Sequence, residues 1–77
     1  MKMAGANESI AATLRQYGYE VAYGYDADVG PYAEISVDGA VIASANRLGS
    51  IYNCLREAVR QLEDMYRGVE DAYRLRP

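Results

Sequence analysis

The sequence predicts an α+β domain: one helix, three antiparallel strands and a second, longer helix, with both helices on one face of the sheet. Three observations carry this. From Leu48 to Tyr73 apolar residues recur every seven positions, which is helical spacing. From Tyr19 to Tyr25 apolar and polar residues alternate, which is strand spacing. Between two later apolar runs stands Asp38-Gly39, the strongest short-range signal for a two-residue hairpin turn.

The first helix is expected from about Glu8 to Tyr17, after a loose start. Ile10, Leu14 and Tyr17 share one face. Asn7 offers an N-cap, and Glu8 suits the positive end of the helix dipole. Gly18 is a natural stop, because glycine accepts the left-handed conformation that follows a helix end.

In the first strand Tyr19, Val21, Tyr23 and Tyr25 lie on one side, and Glu20, Ala22, Gly24 and Asp26 on the other. Tyrosine and valine on alternate positions fit a sheet with one wet face. Asp26 to Pro31 reads as a loop punctuated by Gly-Pro. Tyr32 to Val37 and Ala40 to Ala45 are the next strands. A two-residue turn pairs Val37 with Ala40, Ile35 with Ile42 and Ala33 with Ser44, and puts those residues on the core face. Tyr32, Glu34 and Ser36, with Val41, Ala43 and Ala45, then face water.

The last helix is the largest apolar surface in the chain. Leu48, Leu55, Leu62 and Val69 form one row. Tyr52, Val59, Tyr66 and Tyr73 form a second, and Ile51, Ala58, Met65 and Ala72 a third. Asn46 or Ser50 can cap it, and Gly68 interrupts it at about 1 kcal/mol relative to alanine. Its charges fall at pairing distance: Arg60 with Asp64, Glu63 with Arg67, Glu70 with Arg74. The stripe is expected to be consumed by the chain's own sheet and first helix, giving a monomer, although the same spacing suits helix pairing between chains.

Residues 1–77 are one small domain, long enough to bury about 60% of its unfolded surface. There is no apolar run near the ~20 residues of a membrane span, and Met1-Lys2-Met3-Ala4-Gly5 lacks the apolar core expected of a signal peptide. Cys54 is the single cysteine, so no intrachain disulfide forms, in keeping with a cytoplasmic location. Histidine is absent, which removes the commonest general base and metal ligand. No nucleophile, acid–base pair, cofactor motif or metal motif stands out, so a non-enzymatic protein without cofactors is expected. Asp26-x-Asp28-x-Gly30 starts like a calcium loop, but its sixth position is Pro31 and its twelfth Val37, where glycine and glutamate are needed.

The candidate site is a charge pattern. The net charge is −3, and from Gln16 to Asn46 there is no Lys or Arg. The same stretch holds Glu20, Asp26, Asp28, Glu34 and Asp38. Strand alternation puts Glu20, Asp26 and Glu34 on the wet face beside Tyr32, with Asp28 and Asp38 in the flanking loops. Uncancelled charge of one sign bears on partners more than on fold. These six residues are the expected partner-binding set, facing a basic protein surface, with no direct nucleic-acid or membrane contact.

Two resemblances follow from these features. The element order resembles the double-stranded-RNA-binding domain, but that family sets a lysine cluster at the start of its last helix. Here Ala45-Asn46-Arg47-Leu48-Gly49-Ser50 has one arginine. The short, acidic, single-domain chain as a whole resembles phage-encoded inhibitors of the anti-CRISPR kind. That resemblance implies carboxylates that imitate phosphates and block the DNA-binding groove of a Cas effector in the host cytoplasm, with a type I surveillance complex as target. The alternative is a small interaction or dimerisation domain that uses the long helix.

Overall fold

The computed structural model describes the backbone of residues 5–74 and the side chains of residues 5–67. Five elements follow in order: α1 (Ala6–Gln16), β1 (Glu20–Asp26), β2 (Gly30–Val37), β3 (Ala40–Asn46) and α2 (Ile51–Arg74). The strands form one antiparallel sheet in the order β1-β2-β3. Both helices lie on the same face, as the sequence predicts. Ile10 and Leu14 of α1 pack beside Leu55, Ala58 and Leu62 of α2 over Val21, Tyr23, Ala33, Ile35 and Ala43.

Turn and cap chemistry explain the element boundaries. Gly18 has φ 92°, which ends α1 where a side chain would be strained. Asp38 and Gly39 both have positive φ, 52° and 80°, the backbone of the tight hairpin turn. Ser50 rather than Asn46 caps α2: its Oγ accepts from Asn53 N–H at 3.1 Å, and the Asn53 amide donates to Leu48 O at 2.8 Å. At α1 the expected cap differs. Gly5, not Asn7, is the N-cap, and it offers no side-chain bond. The helix begins one residue before Asn7, so Asn7 already lies inside it.

The hairpin register holds at the turn and then shifts. Val37 pairs with Ala40 and Ser36 with Val41, but Ile35 pairs with Ala43 and Ala33 with Ala45. Ile42 is therefore an extra residue on β3, a β-bulge. The bulge corrects the predicted faces. Ala43 is buried and Ala45 packs on the core, while Ser44 faces water. Ile42 still reaches the core from the bulge, partly buried, and Val37 is half-buried.

A helix side chain reaches the backbone of each outer edge of the sheet at one residue. Ser44 donates its N–H to Gln61 Oε1 at 3.1 Å and accepts from Gln61 Nε2 at 2.8 Å, so one amide satisfies both backbone groups. On the other edge Arg15 Nη2 donates to Val21 O at 3.1 Å.

The helix α2 runs through Gly68 to Arg74, 24 residues or about 36 Å. Strands of seven or eight residues span only about 25 Å, so its C-terminal part projects. The radius of gyration, 14.3 Å, reflects this. A compact chain of this length would have about 11–12 Å.

Candidate functional site

The open face of the sheet is built in cross-strand rows. Glu20, Ser36 and Val41 form one, Ala22, Glu34 and Ser44 the next, and Gly24, Tyr32 and Asn46 the third. No helix covers this side. Glu34 is exposed at its centre, and Glu20 is its diagonal neighbour, roughly 7–8 Å away. No basic residue stands on any of the three strands, so the two carboxylates sit within one Debye length, about 8 Å, of each other without local compensation.

Each expected site residue has a definite place. Tyr32 is half-buried, its ring laid over Gly24, where a Cβ would meet the phenol at 3.4 Å. A Cβ at that position would make ordinary van der Waals contact with the ring. Tyr32, Glu34 and the Ser44–Asn46 end of β3 border an open cleft of about 330 Å³. Asp26 closes the turn after β1: its Oδ1 accepts from Asp28 N–H at 2.8 Å and Val29 N–H at 3.2 Å. Those two donors hold its carboxyl below the usual range, so it stays ionised. Asp28 and Asp38 are exposed in the two turns. Glu20 makes one long contact, 3.4 Å, from Gly39 N–H. The sheet therefore brings Glu20, Tyr32 and Glu34 onto one surface, with Asp26 and Asp28 at one end and Asp38 at the other. Among the described residues no group of three His, Cys, Asp or Glu is placed to hold a metal ion.

The helical side carries charge of a different kind. Arg60 bridges Glu57 at 2.7 Å and also pairs with Asp64. Arg60, then Gln61, depress the Glu57 carboxyl to about 2. Glu8 accepts from the Tyr23 hydroxyl at 2.6 Å and from Arg15 at 2.8 Å; the first of these, then the second, lowers its pKa, and the bond to Glu8 raises that of the phenol. The Arg60–Asp64 pair matches its sequence spacing. The Glu63–Arg67 spacing closes to no ion pair, and Glu70–Arg74 lies outside the described side chains.

The tyrosines divide differently from the sequence expectation. Tyr52, expected in the core, is exposed and sits under Arg56, whose Nη1 donates to its hydroxyl at 3.0 Å. Tyr25 shares the core side of β1 with Tyr23 but lies beyond the helices, 69% exposed. Tyr73 falls outside the described side chains. Cys54 is buried against Leu55 and Ala33, its thiol 3.5 Å from Pro31 O, as a structural cysteine.

One feature escaped sequence reasoning. Leu14, Tyr17, Tyr19, Val59, Leu62 and Tyr66 line an apolar groove of about 400 Å³ between the end of α1 and the middle of α2. The Tyr19 and Tyr66 hydroxyls hydrogen-bond across it. Tyr17 and Tyr66 are nonetheless 78% and 53% exposed. The signal was present in the spacing of Ile10, Leu14 and Tyr17, which continues an apolar face to the last turn of α1.

No protein-family model matches the chain, and comparison with curated proteins and with solved structures finds no match. Among the described residues no helix is long and apolar enough to cross a membrane.

Proposed function

We propose that this chain is a non-enzymatic binding module whose open sheet face docks on a basic, nucleic-acid-binding surface of another protein and so blocks that surface. The observation behind this reading is the contrast of charge. On the helical side the carboxylates of Glu8, Glu57 and Asp64 are paired with arginine. On the sheet face Glu20 and Glu34 have no cation beside them. Carboxylates held on a rigid sheet present fixed negative charge as a phosphate backbone does, and Tyr32 adds an aromatic anchor of the type that carries affinity. Inhibition of a Cas effector, in particular a type I surveillance complex, is the specific form that the anti-CRISPR resemblance implies.

The test is competition. A purified type I surveillance complex is titrated with the protein, and target DNA binding is read by gel shift. The protein is expected to displace DNA, less well as salt rises, because the field is screened. Replacing Glu20, Asp26, Asp28 and Glu34 by lysine should abolish the effect, while lysines at Glu63 and Asp64 should leave most of it. Inhibition that survives the first change and fails with the second would place the working surface on the helices.

A further inference from the structure

The open sheet face is not uniform along its length. Two adjoining cross-strand pairs, Tyr32 with Asn46 and Glu34 with Ser44, stand side by side on β2 and β3. Directly opposed residues on one face are roughly 5 Å apart at Cβ, so these four side chains surround one spot. That spot is the open cleft of about 330 Å³, with Asp26 at its far rim.

The groups around the cleft are of two kinds. One wall is an aromatic ring: Tyr32 rests against Gly24 of β1 on one side and borders the cleft on the β3 side. The others carry oxygen acceptors: the Glu34 carboxylate, the Ser44 hydroxyl and the Asn46 amide. Asp26 uses Oδ1 in its turn and keeps a second oxygen. No described cation pairs with Glu34 or Asp26. Arg47 follows β3 but does not line the cleft.

We propose that this cleft seats the guanidinium of an arginine side chain from the protein partner, stacked against Tyr32 with its N–H groups on Glu34. The inference rests on the docking reading above and names the side chain that the face selects. Charge complementarity calls for a cation without choosing between arginine and lysine. The shape and chemistry of the cleft make that choice. A guanidinium is planar, carries five N–H donors and accepts no hydrogen bond. It stacks on aromatic rings and is more weakly hydrated than an ammonium, so it gives up less on leaving water. Ser44, Asn46 and the free oxygen of Asp26 offer acceptors for the donors that Glu34 does not take. A lysine ammonium is a compact, strongly hydrated point charge, and it leaves most of the ring and the outlying acceptors unused. The volume agrees, because small-ligand sites run from roughly 300 to 1,000 Å³ and this cleft stands at the lower end. It has room for the end of one side chain.

Titration of the full chain, followed by NMR, with two capped peptides of equal charge, hexa-arginine and hexalysine, tests this. The arginine peptide is expected to bind about fivefold more tightly or better. Its shifts should centre on Tyr32, Glu34, Ser44 and Asn46. Tyr32→Phe keeps the ring and should keep the preference. Tyr32→Leu should bring the two affinities together, and Glu34→Gln should weaken both. Circular dichroism of each variant separates loss of fold from loss of binding. Equal affinity for the two peptides, or a preference that survives Tyr32→Leu, overturns the cleft and leaves the docking role of the face standing. If neither peptide binds the sheet face, both readings fall. An arginine preference seen together with no displacement of DNA from the surveillance complex supports the cleft and removes only that target.

Discussion

The two halves of α2 share one sequence pattern and have opposite fates. From Ile51 to Leu62 the stripe, Tyr52 excepted, is under the sheet: Cys54, Leu55 and Ala58 are fully buried and Leu62 nearly so. One turn later Met65 and Tyr66, in the same rows, are about half exposed. Periodicity specifies that a helix forms and which side is apolar. It does not specify what covers that side. Here the length of the strands decides, because the sheet ends before the helix does. Most of the stripe's first half belongs to the fold, and at Met65 and Tyr66 it is left open.

Substitutions along the stripe should expose this division. The largest effect is expected at Leu55→Ala, where a fully buried side chain leaves a cavity between α2 and β2. A loss of about 2–5 kcal/mol in urea unfolding is expected. A loss below about 1 kcal/mol would mean that the first half of the stripe is no better packed than the second.

A smaller effect is expected from acid, through the charges that line the packed half. The folded pKa of Glu57 is depressed to about 2, by Arg60 first and Gln61 second, from an ordinary carboxylate value near 4.5. The unfolded chain therefore takes up this proton first as pH falls. Its contribution to stability is complete above pH 4.5 and lost as pH falls through 2. Thermal melts should decline over that window, and Glu57→Gln should flatten part of the decline. An identical acid profile in the variant would show that the Arg60–Glu57–Gln61 chain contributes nothing.

The smallest effect is expected at Met65→Ala, in the projecting half. In dilute solution unfolding should change by no more than about 0.5 kcal/mol, as for most exposed substitutions. A loss comparable to that at Leu55 would erase the contrast between the halves.

Much of the fold was legible in the sequence because its signals are local. Gly18, Asp38-Gly39 and Ser50 each act within a few residues, through backbone φ or a cap, and each behaves as its chemistry requires. The bulge at Ile42 was not legible. In Ala40-Val41-Ile42-Ala43-Ser44-Ala45 only Ser44 is polar, so alternation hardly distinguishes inside from outside and a one-residue slip goes unmarked. The wet positions of β1 and β2 were legible because they carry charge or lie opposite tyrosine and isoleucine. The groove between the end of α1 and the middle of α2 was hidden for another reason. Its walls come from residues about fifty positions apart, and an apolar stripe reads the same whether a sheet covers it or not. Gln61 gave no sign of its role either, since a glutamine beside an apolar stripe has the spacing of any solvated residue.

The Gln61 contact with Ser44 has a consequence for the sheet as a growing object. An unblocked edge strand is a template: its free N–H and C=O groups can recruit another strand, and that strand a further one. At the middle of β3 a single carboxamide supplies the donor and acceptor that a fourth strand would bring, yet it offers no second edge behind it. It ends the series as a chain terminator ends a polymer. Arg15 performs a partial version at β1, taking one carbonyl. A side chain from each helix thus holds part of each margin, both backbone groups of Ser44 on β3 and one carbonyl, that of Val21, on β1, so the helices that cover one face also hinder strand addition at the edges.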